Sequence, residues 1–177
     1  MKKVVLYIAM SLDGYIADCK KSVNWIKGQD DSVEMQDTYS TFFDSISTVI
    51  MGKITYEQIT KELSLGRWPY SGAITYVFTH DVSMTDTMDI KFTNANPCQL
   101  VNKLKTEIGK NIWICGGADV INQLMKEDLI DIFHISIIPV ILGGGTKLFE
   151  ETDDMINLEL VNILNYNGIV EVVYERR

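Results

Sequence analysis

Two glycine turns carry the residue types best suited to binding an anionic ligand. In the first, an apolar run at 49–51 ends at Gly52, and Lys53 and Thr55 follow directly. In the second, the run 112–115 ends at Gly116 and Gly117. A strand that enters a helix through glycine gathers free backbone N–H groups and the positive end of the helix dipole. Two such turns predict a ligand with two phosphate groups, such as a dinucleotide, although each could also be a routine strand-to-helix connection.

Two further segments could contribute to a site. Three consecutive glycines at 143–145 follow an apolar run. Ordering three glycines costs more conformational entropy than ordering other residues. The close approach of a ligand or of another backbone segment would explain why glycine is present here; a flexible loop is the alternative. Asp13 and Gly14 follow the first apolar run, so they form either a plain turn or a carboxylate at the mouth of a site. Trp25 lies in the next loop as either a lid or an anchor to the core.

The composition is that of one ordinary globular domain spanning 1–177. The 177 residues are enough for a sizeable core, and the net charge of −8 argues against a nucleic-acid surface. No segment approaches the roughly 18 apolar residues that a membrane helix needs, so we expect a cytoplasmic protein that does not bind membranes. The three cysteines lack a CxxC pair and there are two histidines, so we expect free thiols and no metal site.

The pattern of the elements predicts a three-layer α/β/α fold with a mostly parallel central sheet. Strands are expected near 3–9, 48–51, 75–79, 89–93, 111–115, 130–138, 157–166 and 169–175, because these segments are rich in β-branched and aromatic residues. Helical patterns alternate with the earlier strands, which favours parallel pairing with helices on both faces. The pair Asn167-Gly168 predicts an antiparallel hairpin at the C-terminal edge. In parallel sheets, ligands bind beyond the carboxyl ends of the strands, where both glycine turns lie.

Three apolar stripes define the expected helices. One comprises Tyr39, Phe42, Phe43 and Ile46, spaced at i, i+3, i+4 and i+7. The second contains Leu100, Val101, Leu104 and Ile108, with Asn96 as N-cap, Pro97 at the first position and Gly109 at the end. The third contains Val120, Ile121, Leu124 and Met125.

Five segments together resemble the dihydrofolate reductase-like superfamily. More closely, the chain resembles the reductase domain at the C-terminal end of the bifunctional riboflavin-biosynthesis deaminase-reductase and its stand-alone relatives. The segments are MSLDGYIA at 10–17, VIMGKITYE at 49–57, YVFTH at 76–80, IWICGGADVINQL at 112–124 and IPVILGGGTKLF at 138–149. They occur in the family's order and span nearly the whole chain.

The resemblance implies an NADPH site and a role for each segment. The dinucleotide would contact Gly52, Lys53, Ile54 and Thr55, and its adenosine half would lie beside Phe78, Thr79 and His80. The pyrophosphate would lie against Gly116, Gly117, Ala118 and Asp119, and the nicotinamide near Gly144, Gly145 and Thr146. Lys53 with His80 would form a 2′-phosphate pocket, which favours NADPH over NADH. Asp13, as the candidate catalytic residue, and Trp25 would face the substrate.

One departure bears on the substrate. Dihydrofolate reductases carry an acid early in the helix before the VIMG strand, and the equivalent count here reaches Gln36, with Asp37 beside it and Glu34 two residues earlier. The resemblance therefore implies reduction of the ribosyl part of a phosphorylated aminopyrimidine, as by 5-amino-6-(5-phosphoribosylamino)uracil reductase. Dihydrofolate reductase activity and a non-catalytic nucleotide-binding module of the same fold are the alternatives.

The small-molecule ligand is the main partner expected, together with a second copy of the chain in a homodimer. The apolar segment 130–142 could be the interface, but a buried central strand would explain it equally well.

Overall fold

The computed structural model describes residues 1–33, 36–152 and 155–177. Its ten strands within these ranges are β1 (Val4–Ser11), β2 (Tyr15–Ala17), β3 (Ile46–Gly52), β4 (Ile74–Phe78), β5 (Ile90–Thr93), β6 (Asn111–Gly116), β7 (Ile132–Ile138), β8 (Thr146–Lys147), β9 (Leu158–Tyr166) and β10 (Ile169–Arg176). The helices are α1 (Tyr39–Asp44), α2 (Lys53–Gln58), α3 (Pro97–Thr106) and α4 (Ala118–Lys126), and α2 continues into a π-helical turn at Ile59–Leu63.

Eight of these strands form one sheet in the order β5-β4-β3-β6-β1-β7-β10-β9. Pairing is parallel from β5 through β7, and β10 pairs antiparallel with both β7 and β9. The predicted mostly parallel sheet with an antiparallel C-terminal edge is therefore confirmed. Asn167 and Gly168, with φ values of 47° and 77°, form the predicted tight turn between β9 and β10.

Alternate residues of the strands build two cores, one on each face of the sheet. On the first face, α3 and α4 pack on Leu6, Ile50 and Ile114. On the second face, α1 and α2 pack on the opposite side chains, which include Met51 and Trp113. This arrangement follows from the period of two along a strand and confirms the predicted three layers.

Two helix boundaries differ from the sequence expectation. The stripe assigned to α1 included Ile46, but that residue begins β3. In α3, Asn96 caps the N-terminus by accepting from the N–H groups of Cys98 and Gln99, and Pro97 opens the helix as predicted. The helix nevertheless ends at Thr106, and Ile108 is fully exposed, so its spacing matched the stripe by coincidence.

The apolar segment at 130–142 is mostly a central strand. Within it, β7 lies between β1 and β10 and contributes buried Phe133, Ile135 and Ile138. Burial therefore explains its composition without an interface. Within the described ranges, no helix has both the length and the apolar character needed to cross a membrane.

Candidate functional site

The two glycine turns lie side by side at the carboxyl ends of two neighbouring strands and form one wall of the candidate site. Strands β3 and β6 are neighbours, with Met51 opposite Gly116. A Cβ atom on Gly52 would lie 3.9 Å from the backbone nitrogen of Gly117 and 3.8 Å from a methyl group of Val120. The turns are thus adjacent, and their lack of side chains leaves the backbone of Gly52 and Gly117 partly exposed at this edge, with Gly116 buried between β6 and the start of α4.

Thr55 completes this wall from the first turn of α2. Cβ atoms on Gly116 and Gly117 would each lie 3.4 Å from the Thr55 hydroxyl oxygen, so that hydroxyl faces the glycine pair. Gly116 has a φ of 146°, which side-chain-bearing residues rarely adopt, and its peptide bond to Gly117 is cis. Gly117 is the N-cap of α4, so free N–H groups of that nine-residue helix start beside the Thr55 hydroxyl.

The third strand end, that of β4, brings a charge pair that the sequence analysis did not identify. Phe78 lies opposite Gly52 in the sheet, and Thr79 accepts a hydrogen bond from the N–H of Asp81. The Lys53 ammonium group donates to an Asp81 carboxylate oxygen at 2.9 Å. Lys53 and the residues after β4 are therefore neighbours, but the charge of Lys53 is already paired.

Ser83 holds Asp81 in this position. Its hydroxyl and N–H donate to the other carboxylate oxygen at 2.6 and 3.0 Å. The hydrogen bond from Lys53, followed by those from Ser83, holds the pKa of Asp81 well below its usual range, so its carboxylate is ionised. His80 lies beside this pair on the exposed surface.

The start of α4 also carries a negative charge. Ala118 is half-buried in the first turn, and Asp119 is exposed beside it. The Asp119 carboxylate accepts a hydrogen bond from the Gln123 amide at 3.0 Å, one turn along the helix. The Asp119 carboxylate offsets part of the positive end of the helix dipole. An anionic ligand here must therefore bind mainly by hydrogen bonds from the N–H groups of the glycine pair, and less by attraction to positive charge. Ile54, on the neighbouring turn, is 78% exposed and able to contact a ligand.

Asp13 connects two loops. One carboxylate oxygen accepts from the Ser11 hydroxyl at 2.7 Å and the Leu142 N–H at 3.0 Å, and the other accepts from the Gly143 N–H at 2.7 Å. The hydrogen bond from Ser11, together with those from Leu142 and Gly143, lowers the pKa of Asp13 to about 2. An ionised carboxylate cannot donate a proton, so this geometry favours a positioning role for Asp13 over proton donation.

A close backbone approach explains part of the three-glycine loop. A Cβ atom on Gly145 would lie 2.0 Å from the carbonyl oxygen of Ala17, because β2 and β8 pair at this point. Gly144 faces the Cys19 sulfur, which a Cβ atom would approach to 3.1 Å. Thr146 accepts a hydrogen bond from the Lys21 ammonium group at 2.8 Å. Of the alternatives that the sequence left open, the approach of another backbone accounts for Gly145.

Trp25 lies apart from the glycine turns in sequence and is half-buried in its loop. Its indole N–H donates to the Ser22 carbonyl oxygen at 3.0 Å. Just after it, Gln29 donates to the carbonyl of Asn167 at 2.9 Å, which ties this loop to the turn between β9 and β10.

A buried carboxylate that the sequence analysis missed lies on the second face. Glu171 of β10 is 1% exposed. Its carboxylate interacts with one imidazole nitrogen, Nε2 of His134, at 3.1 Å and accepts from three hydroxyl groups, those of Tyr166 at 2.5 Å, Thr38 at 2.8 Å and Ser136 at 3.3 Å. Burial alone would raise the pKa of Glu171, but hydrogen bonds from His134, Tyr166 and Thr38 outweigh it and lower that pKa to about 2. The available sequence signal was an acid between two valines at an inward position of a strand.

The positions considered for a folate-type acid do not reproduce this burial. Gln36 and Asp37 are both exposed, and Asp37 accepts hydrogen bonds from Ser40 at the start of α1. Glu34 lies outside the described residues.

The chain matches known proteins over almost its full length. Residues 2–170 match the family model of the RibD C-terminal domain. Two proteins of Bacillus subtilis (strain 168) are similar in sequence. Uncharacterized protein YwjB is 38% identical over 178 residues, covering 99% of this chain and 98% of its own length. Uncharacterized protein YyaP is 32% identical over 184 residues, covering 98% and 94%.

Solved structures share the fold at lower identity. A "Putative riboflavin biosynthesis protein" from Shewanella sp. PV-4 has a TM-score of 0.83 at 24% identity and covers 99% of both chains. The deaminase/5-amino-6-(5-phosphoribosylamino)uracil reductase of Thermotoga maritima has a TM-score of 0.70 at 17% identity, with 99% of this chain and 57% of that chain covered. Dihydrofolate reductase of Enterococcus faecalis, in complex with NADP(H) and RAB-propyl, has a TM-score of 0.66 at 17% identity, with coverages of 98% and 96%. The expected dihydrofolate reductase-like fold is confirmed.

Proposed function

Since the chain belongs to the RibD C-terminal domain family, we propose that it is an NADPH-dependent reductase acting on a small heterocyclic substrate. The preferred substrate is a phosphoribosylaminopyrimidine of the kind reduced by 5-amino-6-(5-phosphoribosylamino)uracil reductase. The reaction class is transfer of a hydride from the nicotinamide with uptake of a proton.

The observation that carries this proposal is the meeting of three strand ends at one edge of the sheet. Gly52, Phe78 and Gly116 end the adjacent strands β3, β4 and β6. Backbone without side chains, the Thr55 hydroxyl and the N-terminus of α4 all face this edge. Such an edge, at the carboxyl ends of parallel strands, fits an extended dinucleotide.

The residues present fit the two ends of the cofactor unequally. Gly116, Gly117 and the start of α4 offer N–H groups to a pyrophosphate. At the adenosine end, Lys53 offers its charge to a 2′-phosphate, but Asp81 competes for it. When bound, the cofactor supplies the hydride, and the protein supplies binding and orientation.

The substrate side favours the aminopyrimidine over dihydrofolate. At the position that the count assigns to a folate-type acid, the chain has the exposed amide of Gln36, which lies three residues before α1. A folate-type proton donor is therefore lacking at that position, whereas reduction of a ribosyl group does not call on it. A non-catalytic binding module would use the same edge but would turn over neither substrate.

The decisive assay follows NADPH oxidation with 5-amino-6-(5-phosphoribosylamino)uracil and, in parallel, with 7,8-dihydrofolate. We expect turnover with the first. Binding of NADPH without turnover of either compound would favour the binding module, and no binding at all would refute the cofactor proposal.

A matched pair of variants tests the edge itself. Thr55→Val keeps the side-chain shape but removes the hydroxyl, so NADPH affinity should fall about tenfold, as for loss of a hydrogen bond to a charged group. Thr60→Val is the control, because the Thr60 hydroxyl bonds only within its own helical segment, to Tyr56 and Glu57 carbonyls. Nicotinamide fluorescence measures both affinities.

A further inference from the structure

We propose that His134 is the proton-transfer residue for the substrate of this reductase, and that Glu171 positions its imidazole ring. The proposal rests on the proposed function for its hydride source. It assigns a role to the part of the second face that β7 and β10 form. This part lies next to β1 and away from the glycine turns.

The buried carboxylate of Glu171 is surrounded by hydrogen-bonding side chains. The Glu171 side chain is 2% exposed, and an ion buried to that degree is strongly destabilising unless it is paired and hydrogen-bonded. Side chains from two strands, β7 and β9, and from the loop before α1 converge on it, namely Tyr166, Thr38, Ser136 and His134. Apolar residues of similar size would fill a sheet face more simply, so this arrangement points to a use for the charge.

Glu171 also orients the imidazole ring of His134. Its Nε2 atom is engaged by Glu171 at 3.1 Å, and no described residue is hydrogen-bonded to Nδ1. A carboxylate on one ring nitrogen fixes the tautomer and makes the other nitrogen the site of proton exchange. The His134 side chain is 16% exposed, so it is held firmly without being sealed from a ligand.

Strand β1 connects this pair to the three-glycine loop, where the nicotinamide is expected. In the β1–β7 register His134 lies opposite Tyr7, Ser136 opposite Ala9, and Ile138 opposite Ser11. Ser11 donates to Asp13, which holds the three-glycine loop. From Tyr7 to Ser11 the strand rises about 13 Å at about 3.3 Å per residue. This length exceeds that of a single heterocyclic ring, so a substrate bound along β1 could reach from the buried pair to the loop.

Aromatic side chains form the wall of this path. The Tyr7 ring stacks on Phe42 at 4.1 Å between centroids, and it meets His134 edge-on at 4.5 Å. Trp113 packs on both aromatic rings and donates its indole N–H to the Tyr7 carbonyl oxygen. Flat apolar surfaces beside one polar pair suit a planar heterocycle.

The step balances as follows. A carbon–nitrogen or carbon–oxygen double bond of the substrate would accept a hydride at carbon, and NADPH, as the reductant of the proposed function, would supply that hydride and leave as NADP⁺. The protonated His134 ring releases the Nδ1 proton to the adjacent nitrogen or oxygen. The neutral imidazole, still bonded to Glu171, then regains a proton from water.

Four variants test the assignment with the aminopyrimidine ribotide as substrate. His134→Gln and Glu171→Gln should each lower kcat by about 100-fold, the lower range for a lost acid-base group, while NADPH affinity stays unchanged. Glu175→Gln is the control, because it makes the same substitution four residues along the same strand and face and should leave kcat unchanged. For His134→Ala, added free imidazole should raise the residual kcat at least tenfold, which a structural role would not allow. A kcat within twofold of the original in both Gln variants, or a loss that imidazole does not restore, would overturn the proposal.

Failure of the proposed function has a different signature. In that case the original chain would oxidise no NADPH with either substrate. The two histidines of the sequence, His80 and His134, then give separate NMR reporters. A shift of the His134 signals, but not the His80 signals, on adding 5,6-diaminouracil would support the ring-binding side, and unchanged His134 signals would overturn it.

Discussion

Lys53 and Asp81 together set the expected preference between the two nicotinamide cofactors. Lys53 alone would attract a 2′-phosphate, but the Asp81 carboxylate pairs with it at 2.9 Å and repels the same phosphate. Asp81→Asn should therefore raise NADPH affinity about tenfold and leave NADH affinity nearly unchanged, since only NADPH carries the extra charge. Fluorescence titration with both cofactors measures the ratio.

Lys53→Glu is the reciprocal test at the same pair. It places a second negative charge beside Asp81, so NADPH should bind about 100-fold more weakly while NADH loses far less. The ion pair of exposed Lys61 with half-buried Glu57, at 3.0 Å, lies one to two turns farther along the chain, and Lys61→Glu serves as the control. Equal losses for both cofactors in Lys53→Glu would contradict the placement of the 2′-phosphate.

At the scale of elements, Glu171 ties β10 to β7, β9 and the loop before α1. Its pKa of about 2 lies below the ordinary value of 4.5, so the ionised form stabilises the fold above about pH 4.5. That contribution, roughly 3 kcal/mol, should disappear as pH falls from 4.5 towards 2. Urea unfolding at a series of pH values should show this loss, and Glu171→Gln should unfold with a flatter dependence over the same interval. Glu175→Gln should retain the original slope.

The pairing of β2 with β8 depends on one glycine, Gly145. Gly145 has a φ of 136° and no room for a side chain beside the Ala17 carbonyl. Gly145→Ala should lower the free energy of unfolding by roughly 3 kcal/mol, because both strain and a clash arise. Gly143 has a φ of 71° but open space, so Gly143→Ala should lower it by only about 1 kcal/mol. Equal effects in urea unfolding would mean that β2 shifts to relieve the clash.

The elements also show what local sequence could and could not predict. The eight main strands, the Asn167-Gly168 turn and the cap at Asn96 depend on neighbouring residues, and local patterns identified them. The partnership of Lys53 with Asp81 spans 28 positions, and that of Glu171 with Thr38 spans 133, so neither leaves a local pattern. The glycine turns could be predicted from the sequence because they require one residue type at one place. A buried ion pair could not, because it forms only when strands that are distant in the sequence come together.

The sheet of the molecule ends at β9, and this edge strand is poorly protected against pairing with another chain. Among the described residues this strand pairs with β10 on one side only, so its other side presents backbone groups that no other described strand pairs with. Four of its apolar side chains are exposed on the two faces, Leu160, Val161, Ile163 and Leu164. Glu159 is its one charged residue, and natural edge strands are usually protected by more.

We propose that a second copy of the chain covers this edge by antiparallel pairing of β9 with β9. Centred on Asn162, that pairing sets Leu160 opposite Leu164 and Val161 opposite Ile163, and it keeps the two Glu159 carboxylates apart. Ile163→Lys should convert the dimer to a monomer, because the charge would be buried against the partner. Ile108→Lys is the control, since Ile108 is equally apolar but fully exposed just beyond the end of α3. Light scattering should give the mass of two chains for the original protein and the control, and of one chain for Ile163→Lys. A monomeric original chain would refute the pairing, and β9 would then be an edge protected by its twist alone.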